Sequence, residues 1–104
     1  MISRHWSGTA RKERAQEYIV HLQHETFPQL ESMKGFVKAS ILKRETDRGT
    51  EFLIITEWDS LATIQQFAGE DVETAVVPEF VQGLMVDYER RARHYEISFV
   101  SSAT

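Results

Sequence analysis

Between Ala15 and Leu30, apolar side chains return at three- and four-residue steps. Ala15, Tyr18, Ile19, Leu22 and Leu30 form one row with Thr26, while Glu13, Gln16, Glu17, His21, Gln23 and His24 fill the opposite side. That period buries one stripe and wets the other, so the spacing predicts a helix, and Pro28, which has no backbone donor, is expected to kink or end it. Ahead of it, Ile2 to Ser7 reads as a short strand carrying the β-favouring Trp6, with Gly8 breaking the strand and Thr9 as a helix cap. After it the period changes to two. Phe36 to Arg44 and Glu51 to Trp58 read as the arms of a hairpin around Asp47-Arg48-Gly49, with Lys34-Gly35 at its opening. Leu61, Ile64, Phe67 and Ala68 restore a helical stripe, capped by Asp59 or Ser60 and closed by Gly69. From Val72 to Glu89 the pattern is mixed. Pro78 interrupts it, and Phe80, Val81, Leu84, Met85 and Tyr88 suit a short amphipathic helix. Ala92 to Val100 alternates His94, Glu96 and Ser98 with Tyr95, Ile97 and Phe99, which predicts a last strand; residues 100–104 are expected to form a polar tail.

The order β-α-β-β-α-β is the split βαβ arrangement. It predicts one α+β, ferredoxin-like domain over residues 1–104, an antiparallel sheet with both helices on one side. The other side then needs a cover. In the hairpin, Val37, Ala39, Ile41, Leu53 and Ile55 are aliphatic and suit packing under helices. Phe36, Phe52, Ile54, Thr56 and Trp58 mix aromatics with hydroxyls and are expected on the bare face, there to meet a second copy or to wall a ligand.

Composition narrows the function classes. The 104 residues are 41% hydrophobic and 27% charged, with no apolar run of membrane-spanning length and no signal-peptide stretch at the start, so a cytoplasmic protein is expected. Cysteine is absent, which removes disulfides and thiolate chemistry. A net charge of -4 argues against nucleic acid as a partner, and the clusters Arg11-Lys12-Arg14 and Arg90-Arg91-Arg93 read as solvated surface. The five glycines are scattered at turns and form no phosphate cradle. Glu17 and His21 lie one turn apart, but His21, His24 and Glu25 do not follow a zinc-peptidase spacing, so no metal site is expected.

The candidate chemistry lies on the outer strands. Strands one and four are neighbours in this topology, which brings Arg4 and Trp6 beside His94 and Glu96. A histidine near neutrality serves as a general base and an arginine holds a phenolate or carboxylate; the alternative is an Arg4–Glu96 pair that only satisfies the interior. Trp58, last on its strand, is either a pocket wall that stacks on a planar ligand or a core or dimer contact.

The run Glu51-Phe-Leu-Ile-Ile-Thr-Glu-Trp-Asp-Ser-Leu61, then Ile64-Gln-Gln-Phe-Ala-Gly-Glu-Asp71, Ala75-Val-Val-Pro78 and the closing His94-Tyr-Glu-Ile97 resemble the antibiotic biosynthesis monooxygenase family of dimeric α/β barrels. The resemblance spans almost the whole chain. It implies a homodimer with facing sheets, and a cavity between sheet and helices in each subunit. Some members oxidise phenolic or quinol substrates with dioxygen and no bound cofactor, and others degrade haem. The haem-degrading branch uses an asparagine, a tryptophan in the second helix and a histidine just after it; this chain has no asparagine, carries Phe67 at the tryptophan's place and has none of His5, His21, His24 or His94 at the histidine's. The phenol-oxidising members use an asparagine, a tryptophan and a tyrosine, of which Trp58 alone carries over. The expected function is therefore a cofactor-independent, monooxygenase-like activity on a small aromatic or quinol-type molecule. Arg4, Trp58 and His94 are the candidate catalytic residues, and Trp6, Ile54, Thr56, Trp58, Phe67 and Glu96 the candidate substrate contacts. A dimer that binds a small apolar ligand without catalysis is the alternative, and haem degradation ranks third.

Overall fold

The computed structural model describes residues 1–103. Strand β1 (Ile2–Ala10) pairs antiparallel with β3 (Gly49–Trp58) from Ile2↔Trp58 to Ala10↔Thr50, and β3 pairs with β2 (Phe36–Thr46). On its other side β1 meets two short strands, β4 (Met85–Tyr88) near its C-terminal end and β5 (Arg93–Glu96) near its start. The result is an open antiparallel sheet in the order β2-β3-β1, with β4 and β5 sharing the last position. The α+β, ferredoxin-like arrangement expected from the sequence is present.

Local departures follow from identifiable residues. Gly8 does not end the first strand, and Thr9 is a strand residue rather than a cap. A Cβ on Gly8 would sit 2.7 Å from the Trp6 ring, so the glycine makes room for the indole two residues before it. The long helical run is one continuous path in three parts: α1 (Ala15–His21), a π-helical turn (Leu22–Thr26) and α2 (Phe27–Glu31). The Phe27 N–H reaches back to the Leu22 carbonyl, five residues away, just before Pro28. The wider turn sets Pro28 into the first turn of α2, where a missing N–H costs little. Helix α3 (Leu61–Ala68) is capped by Ser60, whose hydroxyl accepts from the Thr63 N–H, and closes on Gly69 at φ 87°. Helix α4 (Glu79–Leu84) stops earlier than the amphipathic spacing suggests, and Met85–Tyr88 is strand β4. The last strand is likewise shorter than expected, ending at Glu96, and Phe99 beyond it is 84% exposed.

On β3 the expected faces are reversed, and Phe36 joins the helix-covered side, where Ala39 and Ile41 lie as expected. Phe52, Ile54, Thr56 and Trp58 are buried beneath the helices, while Leu53 and Ile55 are only half-buried on the opposite side. On β2 a bulge between Phe36 and Lys38 puts Phe36 and Ala39 opposite Trp58 and Thr56 on the same face and breaks the two-residue alternation through Val37. On β3 the cause is the helical partner. Tyr18 meets Phe52 edge-on at 4.9 Å, and Leu30 and Ile64 close over Trp58, so the aromatic face has a matching cover. Two core clusters result, one around Tyr18 and Phe52 and one around Trp58, with Phe27 packed against both.

Candidate active site

A cavity lies between the helix-covered face of the sheet and the first helical run. Its floor is Arg4 and Trp6 of β1 with Ile54 and Thr56 of β3, its roof includes Tyr18, Leu22, Thr26 and Phe27, and Phe67 and Pro78 stand at its sides. Its volume is about 60 Å³, which accommodates a small planar ring system.

Arg4 is the charged member of this wall and is only 4% exposed. Its guanidinium donates to the carbonyls of Val72 and Thr74, the latter at 2.9 Å, and lies 5.7 Å above the Phe67 ring. The ion pairs among the described residues leave it out. Burial pushes its pKa down to about 10. Across from it on β5, His94 Nε2 lies 2.9 Å from Arg4 Nη1. A guanidinium can only donate, so Nε2 accepts and the ring hydrogen sits on Nδ1, which is buried without a partner. Burial first and the Arg4 charge second hold the His94 pKa below its ordinary value, so the ring is neutral at pH 7.

The remaining polar groups are hydroxyls. Thr56 Oγ1 accepts from Trp58 Nε1 at 3.0 Å, which fixes the oxygen and frees its hydrogen for the cavity side. Tyr18, 3% exposed, has no hydrogen-bond partner for its hydroxyl among the described residues, and burial raises its pKa, so it is a neutral donor. Trp6 Nε1 donates to the Glu89 carbonyl at 2.7 Å, which fixes the indole, and the ring edge lies against Gly8.

The residues singled out in the sequence therefore divide. Arg4, Trp6, Ile54, Thr56 and Phe67 line the cavity, and His94 touches Arg4 from the side. Trp58 is fully buried in the core and does not reach the cavity wall; it acts on the wall through Thr56 and through Phe67, which stacks on it at 6.5 Å. Glu96 stands opposite Ile2, exposed, and makes no pair with Arg4, because Arg4 turns toward the carbonyls of residues 72 and 74. Tyr18 and Thr26 were not singled out. Their signal is the spacing Tyr18, Leu22, Thr26, one hydroxyl at each end of a single helix row that faces the sheet. No histidine lines the cavity, and His94 has its Nε2 on Arg4, so these residues do not fit a histidine-ligated haem.

Comparison with known proteins agrees with this architecture. A family model for antibiotic biosynthesis monooxygenase matches residues 1–78. No curated protein matches the chain. Among solved structures, a Bacillus cereus protein named among the antibiotic biosynthesis monooxygenases is 14% identical, with TM-score 0.69 over 99% of this chain and 96% of its own. One from Deinococcus radiodurans so named is 17% identical, with TM-score 0.69 over 100% and 99%. The Streptomyces coelicolor monooxygenase from the gene ActVA-Orf6, in complex with nanaomycin D, is 15% identical, with TM-score 0.65 over 99% and 92%. With three quarters of its length inside the family match and the same fold in each of these structures, this chain belongs to the antibiotic biosynthesis monooxygenase family.

Proposed function

We propose that the protein is a monooxygenase-like enzyme that oxidises a small aromatic or quinol-type molecule with dioxygen and no bound cofactor, in the cavity over Arg4. The observation that carries this reading is a buried guanidinium without a carboxylate partner in an otherwise apolar and aromatic wall. Lowering its pKa to about 10 corresponds to roughly 3 kcal/mol against the charged form. A ligand oxygen bearing negative charge offsets that penalty, and a planar ring fills the space between Trp6, Phe27 and Phe67. Arg4 therefore binds a phenol as phenolate, the electron-rich form that reacts with dioxygen. The substrate is its own reductant: a ring CH2 flanked by the activated aromatic system loses both hydrogens, gains one oxygen atom as a carbonyl, and the second oxygen leaves with those hydrogens as water. His94 is a positioning residue, holding Nη1 of Arg4 in place. The nanaomycin D complex of the Streptomyces coelicolor monooxygenase supports an aromatic ligand on this fold. The family resemblance and the half-buried Leu53 and Ile55 on the open sheet face support a homodimer.

The cavity wall contains no carboxylate and no histidine. That favours, as a second reading, a dimer that binds such molecules without turning them over. Oxygen uptake separates the two. Aerobic incubation with anthrone and a series of hydroquinones should consume oxygen, and Arg4→Met should lower kcat/KM at least tenfold. Quenching of tryptophan emission by these compounds with no uptake above buffer would leave only the binding reading.

A further inference from the structure

Tyr18 has no role in anchoring the anionic end of a ligand, yet it is a buried residue of the cavity wall whose hydroxyl has no hydrogen-bond partner among the described residues. Its place along the floor is fixed by packing. Its ring meets Phe52 at 4.9 Å and Trp6 at 6.3 Å, and Phe52 stands opposite Gly8, whereas Arg4 stands opposite Thr56. From the level of Arg4 to that of Gly8 is four residues of strand, about 13 Å. Between them the floor is Trp6 and Ile54, with no hydrogen-bonding group presented upward other than the indole nitrogen already bonded to Glu89. Donors thus stand at both ends of a flat apolar strip: Arg4 and the Thr56 hydroxyl at one, the Tyr18 hydroxyl at the other. Donors set toward opposite ends of the floor suit a planar ring system that carries an acceptor at each end.

We infer that Tyr18 is a specificity-determining residue: its hydroxyl donates to the ligand oxygen remote from Arg4, so that the cavity prefers planar molecules oxygenated at both ends over those oxygenated at one. This rests on the reading of the cavity as the ligand site. A raised phenol pKa keeps the donor protonated through the neutral range, and the i+4, i+8 spacing to Leu22 and Thr26 keeps the ring on the cavity side of the helix.

The test compares 1,4-naphthoquinone, with two opposed carbonyls, and 1-tetralone, with one, by quenching of tryptophan emission in wild type and Tyr18→Phe. The phenylalanine keeps the edge contact with Phe52, and circular dichroism checks that it folds. The expected result is a three- to tenfold weaker Kd for the naphthoquinone in Tyr18→Phe and a change under twofold for the tetralone, as one neutral hydrogen bond is lost from the first complex only. Equal weakening of both ligands, or no weakening of the naphthoquinone, overturns the role of Tyr18 while leaving the cavity as the site. Failure of wild type to bind either ligand overturns the underlying reading as well.

Discussion

Arg4 and His94 face one another across β1 and β5, and burial disfavours the charged form of both. His5, on the opposite face of β1, is held below its usual pKa in the same direction, also by burial, and its Nε2 lies 2.8 Å from the Ser3 hydroxyl. The consequence for stability has a definite sign. With folded-state pKa values below the unfolded 6.5, the unfolded chain binds more protons as the pH drops below 6.5, so stability is full above that value and is lost on acidification toward the folded values. For His94 the loss has a mechanical side, since a proton on Nε2 abolishes the acceptor for Arg4 and sets two cations against each other. Denaturant midpoints measured from pH 7.5 down to pH 5 should fall, and the His5→Gln, His94→Gln double variant should flatten that slope. An equally steep fall in the double variant would place the effect elsewhere. Asp71, paired with Arg91, is shifted below 3.8 and so titrates outside this window.

The cavity owes its roof to one irregular element. Thr26 and Phe27 reach the cavity at the π-helical turn Leu22–Thr26, which takes up an extra residue before Pro28. A proline in a regular helix interior costs about 3 kcal/mol. Here Pro28 occupies the first turn of α2, so that cost is largely avoided, and Pro28→Ala should change stability by less than about 1 kcal/mol in urea unfolding. A gain near 3 kcal/mol would mean that proline strains the helix. The same element shows what a sequence discloses. The helical row, the hairpin and the neighbouring of β1 with the last strand follow from periodicity and connection rules, and with them came the Arg4–His94 pairing. A turn of five residues in place of four leaves no mark in the row of apolar residues, and a bulge at Val37 moves Phe36 onto the face of Ala39 and Ile41 with no change in composition. Aromatics among hydroxyls on β3 looked like an open surface because the matching Tyr18 and Leu30 lie on another element. Glu96 was misplaced for a related reason: alternation sets its face but not whether Arg4 turns toward it or toward the carbonyls of residues 72 and 74.

At the scale of the whole molecule the helices are all committed to one side of the sheet. Arg4, Trp6, Ile54, Thr56 and Trp58 point toward them, and the cavity lies on that side within a single chain. The reverse side carries Leu42, Leu53, Ile55 and Tyr95, with Leu42 44% and Tyr95 50% exposed and the ion pairs Arg44–Glu51 and Lys38–Glu57 along its β2 and β3 rows. An apolar centre rimmed by charge on an open sheet is a surface that monomers rarely leave in water. In the homodimer proposed above, a second copy of the chain covers this face. Leu53 lies on β3, flanked by β1 and β2, and pairs with Ser7 on one side and Leu42 on the other. Leu53→Arg should therefore convert a dimer into a monomer in sedimentation experiments at micromolar concentration. Because position 53 points away from the cavity, the same variant should retain ligand-dependent quenching of tryptophan emission. A wild type that sediments as a monomer would refute the pairing, and loss of ligand binding together with the dimer would mean that the second copy supports the cavity from behind the sheet.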